Sequence, residues 1–172
     1  MKNKLLPFST TFIFIIIFII FYKGLRYTNI YTPESKINYD IPSSVVELFD
    51  TSKNVDTIEI FQPDKLYLLN IWSSWCVPCR KEHSILMELK KNDKLKVIGM
   101  NYKDLKENAK NFLIELGNPY DQIILDSKGI NAIEWGAYGV PESFLIKNNK
   151  IIKKYIGPLN NESVEEIKSY TK

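Results

Sequence analysis

The chain has 172 residues, with 23 Lys and Arg against 20 Asp and Glu, one His, and a net charge of +3. That length holds one globular domain plus an appendage, and 45% hydrophobic residues is ordinary for a folded protein. The lysines are scattered rather than clustered, which excludes the basic face of a nucleic-acid binder.

The appendage is N-terminal. Residues 5–22 are nearly all apolar, interrupted only by Ser9, Thr10 and Thr11, about the length of a minimal membrane-spanning helix. A cleaved signal peptide needs small residues at its cleavage site. Tyr22-Lys23-Gly24-Leu25-Arg26-Tyr27 has no A-x-A pattern. The expectation is an uncleaved signal anchor over residues 1–23. Lys2 and Lys4 precede the span while Lys23 and Arg26 follow it, so flanking charge is close to balanced. A single anchor with a short N-terminal flank most simply places the bulk of the chain outside the cytoplasm, in an oxidising compartment. Residues 24–40 read as a linker and residues 41–172 as the folded domain, without internal repeats.

Within the domain, residues 45–49 and 55–61 read as short edge strands. Residues 66–72 form a continuous apolar run, the pattern of a strand buried on both faces. A helix over residues 77–91 turns Ile85, Leu86 and Leu89 inward, and residues 95–100 form a second buried strand. Asp104 with Glu107 three positions on resembles a capping box. It opens a helix with Leu105, Ala109, Phe112, Leu113 and Leu116 on one face, closed by Gly117. Residues 123–125 read as a short strand. Residues 143–146 and 150–155 flank Asn148-Asn149, a hairpin signal. Asn160 caps a last helix with Val164, Ile167 and Tyr170 inward.

The only two cysteines lie in Trp75-Cys76-Val77-Pro78-Cys79, at the junction of the buried strand and the first core helix. At this spacing they reach each other across one helical turn. Their disulfide closes a very small loop, a poor staple and a good redox switch. A thiol attacks a disulfide as thiolate, and a helix N-terminus supplies N–H donors and partial positive charge. Cys76, the more exposed of the two, is therefore the attacking thiol and Cys79 the resolving one. Pro78 falls in the first turn, where its missing N–H costs nothing. No cofactor beyond a Cys76–Cys79 redox disulfide is required. Cys76, Cys79 and His83 also have metal-ligand spacing, but a closed zinc site needs a fourth ligand and only a carboxylate could supply it. Haem attachment is excluded because Arg80 stands where C-x-x-C-H needs its His.

The order βαβαββα, with a CxxC opening the first core helix, resembles the thioredoxin-like α/β fold: a central mixed sheet flanked by helices, here behind an N-terminal transmembrane anchor helix. That resemblance implies a cis-proline opposite the cysteines. Gly139-Val140-Pro141 matches the position, and the exposed backbone of Val140 would pair with a substrate strand. Five segments are more specific. They are Leu69-Asn70-Ile71-Trp72-Ser73-Ser74-Trp75-Cys76, Arg80-Lys81-Glu82-His83, Gly99-Met100-Asn101-Tyr102-Lys103-Asp104, Leu116-Gly117-Asn118-Pro119-Tyr120 and Tyr138-Gly139-Val140-Pro141-Glu142-Ser143-Phe144-Leu145-Ile146. Together they resemble the membrane-anchored thiol:disulfide interchange proteins of cytochrome c maturation, the CcmG/DsbE type.

The resemblance implies a reducing dithiol on the periplasmic side of the bacterial inner membrane. It would act on apocytochrome c or on a haem-ligation partner, and be re-reduced by a membrane electron donor of the DsbD/CcdA kind. Val77-Pro78 departs from the Pro-Thr of many relatives. A generic thioredoxin has a buried acid six residues before the first cysteine, where this chain has Asn70. An amide cannot accept the resolving thiol's proton. Glu142, beside the expected cis-proline, is the first candidate acceptor and Glu82 the second. His83 is either a tuning group or a structural histidine. Trp75 belongs to the rim of the partner groove, while Trp72 and Trp135 read as packing. The competing functions are a general envelope disulfide reductase or isomerase and a tethered metal-binding module.

Overall fold

The computed structural model describes residues 5–26 and 38–171, and the chain divides into two compact units, Met1–Glu34 and Ser35–Lys172. The first contains α1 (Leu5–Arg26), a helix of 22 residues. Gly24 to Arg26, expected in the linker, are its last turn; residues 27–37 lie outside the described residues. Side chains of α1 are described over residues 10–24. Among the described residues no helix is long and apolar enough to cross a membrane.

In the second unit the elements run β1 (Tyr39–Asp40), β2 (Val45–Leu48), β3 (Asn54–Asp56), α2 (Thr57–Ile60), β4 (Leu66–Trp72), α3 (Val77–Leu89), β5 (Leu95–Tyr102), α4 (Lys106–Leu116), β6 (Gln122–Asp126), α5 (Ile130–Glu134), β7 (Glu142–Lys147), β8 (Lys150–Ile156) and α6 (Asn161–Ser169). The strands form one mixed sheet in the order β1-β8-β7-β4-β5-β6-β2-β3. β4, β5 and β6 are parallel, while β7 runs antiparallel to β4. This is the mixed, helix-flanked α/β architecture the sequence predicts. All seven residues of β4 are buried, as its central place requires. Asn148 and Asn149 both take positive φ, 52° and 59°, and so turn the β7–β8 hairpin.

Alternation along the strands splits the core in two. Leu66, Leu68 and Trp72 of β4 and Leu145 of β7 pack under α3, α4 and α6, through Leu86, Leu89, Ala109, Phe112, Val164 and Ile167. Tyr67, Leu69, Ile71, Phe144 and Ile146 point the other way, onto Ile60 of α2 and onto Ala132 and Trp135. Leu86 and Leu89 are 1% and 0% exposed; truncating such a leucine to Ala costs about 2–5 kcal/mol.

Several local expectations give way to tertiary contacts. The predicted strand over residues 55–61 stops at Asp56, whose carboxylate accepts from the Ile58 N–H and starts α2 instead. Tyr39 and Asp40, expected in the linker, pair with Ile151 and Lys150 of β8. The Asp104/Glu107 capping box does not form. Leu105 is the N-cap of α4, makes no side-chain cap bond, and is 70% exposed rather than inward. Tyr170 caps the end of α6 and is 40% exposed, also not inward. The five-residue α5 had no predicted counterpart. Buried Asp126 organises its start, accepting from the Asn131 and Ala132 N–H groups.

Candidate active site

Cys76 is the N-cap of α3, and the sequence needs nothing more to place it there: a strand ends, and Pro78 sits in the first turn. Cys76 and Cys79 form a disulfide. The Cys79 N–H points at Cys76 Sγ at 3.1 Å, so the sulfur already faces the unpaired donors of the helix start. The expected difference in exposure is nearly absent, because the pair is 4% and 2% exposed. An attacking Cys76 must therefore be approached along the rim.

The rim on one side is held by the segment between β5 and α4. Asp104 Oδ2 accepts from the Ser74 N–H at 2.6 Å and from Asn101 Nδ2 at 3.1 Å. Its Oδ1 accepts from the Ser74 hydroxyl at 2.8 Å and from the Leu105 N–H at 2.9 Å. One carboxylate thus ties the turn before Cys76 to β5. It leaves α4 uncapped because its oxygens are already engaged. Trp75 donates its indole N–H to the Lys103 carbonyl and leaves its ring 57% exposed beside the cysteines. Trp72 and Trp135 are core residues, 1% and 0% exposed.

The Val140–Pro141 peptide is cis. Val140 is half-buried and Pro141 buried. Glu142 follows at the start of β7 and is 2% exposed. It stands opposite Ile71 in the ladder, and directly paired residues share a face. Ile71 belongs to the cluster with Phe144 and Trp135, whereas Cys79 belongs to the cluster under α3. The first candidate proton acceptor therefore lies on the sheet face away from the helix that carries Cys79. Its carboxylate is otherwise occupied. Oε1 accepts from the Tyr138 and Gly139 N–H groups, and Oε2 lies 2.8 Å from the Lys154 ammonium, itself only 5% exposed. Glu142 braces the approach to the cis-proline. Lys154 also donates to the Gly136 carbonyl and lies over the Tyr138 ring.

The second candidate lies on the helix that carries Cys79. Glu82 lies one helical turn beyond Cys79 on α3 and is 2% exposed. Oε2 accepts from the Leu159 N–H at 2.7 Å and Oε1 from Asn70 Nδ2 at 2.9 Å. No cation pairs with it among the described residues. Burial pushes its carboxyl up to about 7, against the smaller opposing effect of the two N–H donors. Asn70 also donates to Ser143 Oγ and accepts from the Tyr120 hydroxyl. Tyr120, whose role sequence reasoning missed, was legible only as the last letter of the Leu116-to-Tyr120 segment.

His83 is buried with its ring against Phe112, and its Nε2–H donates to the Gly117 carbonyl at 2.9 Å. Burial and then Arg80 lower its pKa against the opposing Gly117 bond, so it stands neutral as a strut to the segment carrying Tyr120. The ligand trio suggested by the spacing of Cys76, Cys79 and His83 is not assembled. Among the described residues no group of three such side chains converges on a metal position.

Comparison with known proteins identifies the family. The family model for Redoxin matches residues 36–171. The thiol:disulfide interchange protein CycY of Rhizobium leguminosarum bv. viciae is 50% identical over 103 residues, 59% of this chain and 55% of that protein. The thiol:disulfide interchange protein DsbE of Escherichia coli (strain K12) is 38% identical over 131 residues, 76% of this chain and 70% of that protein. This chain thus spans little more than half of the first relative's length. In structure, a DsbF homologue from Corynebacterium diphtheriae superposes with a TM-score of 0.66 at 24% identity, covering 81% of this chain and 96% of the other. That likeness establishes the thioredoxin-like fold. With a matching domain over most of its length and a DsbE relative matched across more than two thirds of that protein, the chain belongs to the redoxin family, among its DsbE-type thiol:disulfide interchange proteins.

Proposed function

We propose that this chain is a membrane-anchored thiol:disulfide oxidoreductase that reduces the disulfide of apocytochrome c, or of a haem-ligation partner, during cytochrome c biogenesis. The observation that carries the reading is the Cys76–Cys79 disulfide at the start of α3, with the buried, cation-free Glu82 one turn behind it. In the reduced protein the Cys76 thiolate attacks one substrate sulfur. The substrate S–S bond breaks, a mixed disulfide forms, and the first substrate thiolate takes a proton from solvent. Glu82 accepts the proton of the Cys79 thiol, a task matched to a carboxyl poised near neutrality. The Cys79 thiolate then attacks Cys76 Sγ and releases the second substrate sulfur. Two electrons pass to the substrate and the Cys76–Cys79 disulfide is restored; this pair is the redox group. Both cysteines of a C-x-x-C-H site must be thiols before haem can be joined to them.

The exposed Trp75 ring, the half-buried Val140 and the cis-Pro141 line the place where a substrate strand would dock. The apolar sequence of residues 5–22 supports a single-pass anchor in the bacterial inner membrane, with the C-terminal domain in the periplasm. A dithiol in that compartment must be re-reduced, which calls for an electron donor of the DsbD/CcdA kind.

The test is Cys79→Ser in the full-length chain, followed by identification of what remains joined to Cys76. Apocytochrome c or a haem-ligation component is the expected catch. Recovery of many unrelated envelope proteins would replace this reading with a general reductase or isomerase.

A further inference from the structure

Asn70, Glu82, Tyr120 and Ser143 come from β4, α3, the segment before β6, and β7, and meet in one buried polar cluster. We propose that Tyr120 is a positioning residue for the proton-accepting carboxylate and acts through Asn70. Its hydroxyl holds the amide oxygen, so that the amide nitrogen is the end facing Glu82. The inference rests on the role given to Glu82 above.

A side-chain amide is nearly symmetric in shape and opposite in chemistry at its two ends. In the observed orientation both Nδ2 hydrogens are used, one on Glu82 Oε1 at 2.9 Å and one on Ser143 Oγ at 3.0 Å, while Oδ1 accepts from the Tyr120 hydroxyl at 2.9 Å. Turned over, the amide would set its oxygen against a carboxylate oxygen, an arrangement satisfied only when Glu82 carries a proton. The orientation of Asn70 and the protonation of Glu82 are therefore linked. Ser143 does not choose between the orientations, because a hydroxyl donates or accepts by rotating. Tyr120 does: turned over, the amide nitrogen would donate to the phenol oxygen and the Tyr120 hydrogen would lose the acceptor it has in the observed orientation.

The hydroxyl is aimed by its surroundings. The Tyr120 ring stacks on Trp72 with centroids 5.4 Å apart. Its N–H is held by Asn118 Oδ1. The ring also lies against Gly99, where an added Cβ would come within 3.0 Å of it. Burial, and then the charge of Glu82, raise the Tyr120 pKa well above the ordinary tyrosine range, so it stays a donor.

The other groups around Glu82 do not do this work. Leu159 contributes a backbone N–H. His83, next on α3, points at the Gly117 carbonyl, and Arg80 pairs with Glu115 at the surface. Lys81 is exposed. Tyr155 of β8 couples to Glu166 and Tyr170. Cys79 is the thiol being served.

The test uses the full-length chain in detergent micelles, reduced, with glutamate carboxyls labelled with 13C and the Glu82 signal assigned by E82Q. Its titration midpoint is compared in wild type, Tyr120→Phe, Asn70→Ala and the double variant, beside the pH profile of electron transfer to oxidised glutathione. Tyr120→Phe should raise the midpoint by about half to one pH unit, because the carboxylate loses an oriented donor. Asn70→Ala should raise it at least as far, and adding Tyr120→Phe to Asn70→Ala should move it no further. A merely structural role would give Tyr120→Phe the same shift in both backgrounds, which overturns the proposal, as does an unchanged midpoint in the single variant. If Tyr120→Phe does not fold, 3,5-difluorotyrosine at position 120, a stronger donor, should lower the midpoint; no shift, or a rise, overturns it. The titration needs no substrate. A wild-type protein that failed to pass electrons to any disulfide would sink the proposed function and leave the titration to decide this inference.

Discussion

Glu82 and Glu142 are both 2% exposed, and both flank the central strands, but on opposite faces of the sheet. Glu142 has two backbone N–H groups and the Lys154 ammonium at 2.8 Å. Glu82 has a backbone N–H and an amide N–H, no cation among the described residues, and a carboxyl pushed up to about 7 by burial. A buried carboxylate with its own counter-charge is an anchor. One held by neutral donors alone sits near the point where it gains and loses a proton. The carboxyl beside the cis-proline in the chain is thus braced by a cation, and the one a turn from the resolving cysteine is the one suited to the proton-accepting role proposed for it.

The most forceful way to break the comparison is to remove the counter-charge. Lys154→Met leaves Glu142 buried without its cation. The expected loss is about 3–5 kcal/mol in urea unfolding, largely recovered when Glu142→Gln is added. The Glu82 titration midpoint should not move in either variant, and a shift there would join the two faces that the structure separates.

The next effect is carried by pH. The folded pKa of Glu82 is raised above its ordinary value, so its favourable contribution is complete below about 4.5 and is lost as pH rises to about 7. Relative to Glu82→Gln, the wild-type chain should therefore lose of order 3 kcal/mol of stability between pH 4.5 and 8. Paired urea titrations across that range would show it, and a flat difference would remove Glu82 as a poised acid.

Gly99→Ala sharpens the view of the Glu82 face. Its Cβ would meet Trp72 Nε1 at 2.8 Å and the Tyr120 ring at 3.0 Å, which should cost about 1–3 kcal/mol and displace the Tyr120 hydroxyl from Asn70. Thermal unfolding reads the first effect and the Tyr120 ring resonances read the second. Asp104→Ala is the smallest of the set. It unties the half-buried Ser74 turn from β5, for about 1–2 kcal/mol in urea unfolding. Asp104→Asn should recover part of that, since an amide oxygen still accepts.

How far the sequence reached can be judged residue by residue. Cys76 and Cys79 were legible because their chemistry and their place at a strand–helix junction are both local. The continuous apolar run of β4, the Asn148-Asn149 turn and the Asn160 cap were legible for the same reason, since each depends on residues within a few positions of itself. The Asp104 capping box was misleading because the same carboxylate that can cap a helix also accepts from a turn 30 residues away, Ser74. Leu105 was misplaced with it, since its inward reading assumed a helix capped by Asp104, one residue earlier than the observed cap at Leu105.

The face that Glu142 occupies was not legible for a different reason. β7 is buried on both faces from Glu142 to Ile146, so alternation says that Glu142 and Ser143 point in opposite directions but not which of them meets α3. The register with β4 decides that, opposing Glu142 to Ile71 and Ser143 to Asn70. Tyr120 reaches Asn70 across 50 residues, a meeting no window of sequence contains. The sequence by itself determined the redox pair, the strand that delivers it and the apolar segment ahead of it, because these rest on local propensity and composition. Only the tertiary structure decided which face of the sheet each buried carboxyl occupies, because a single step of register reverses it.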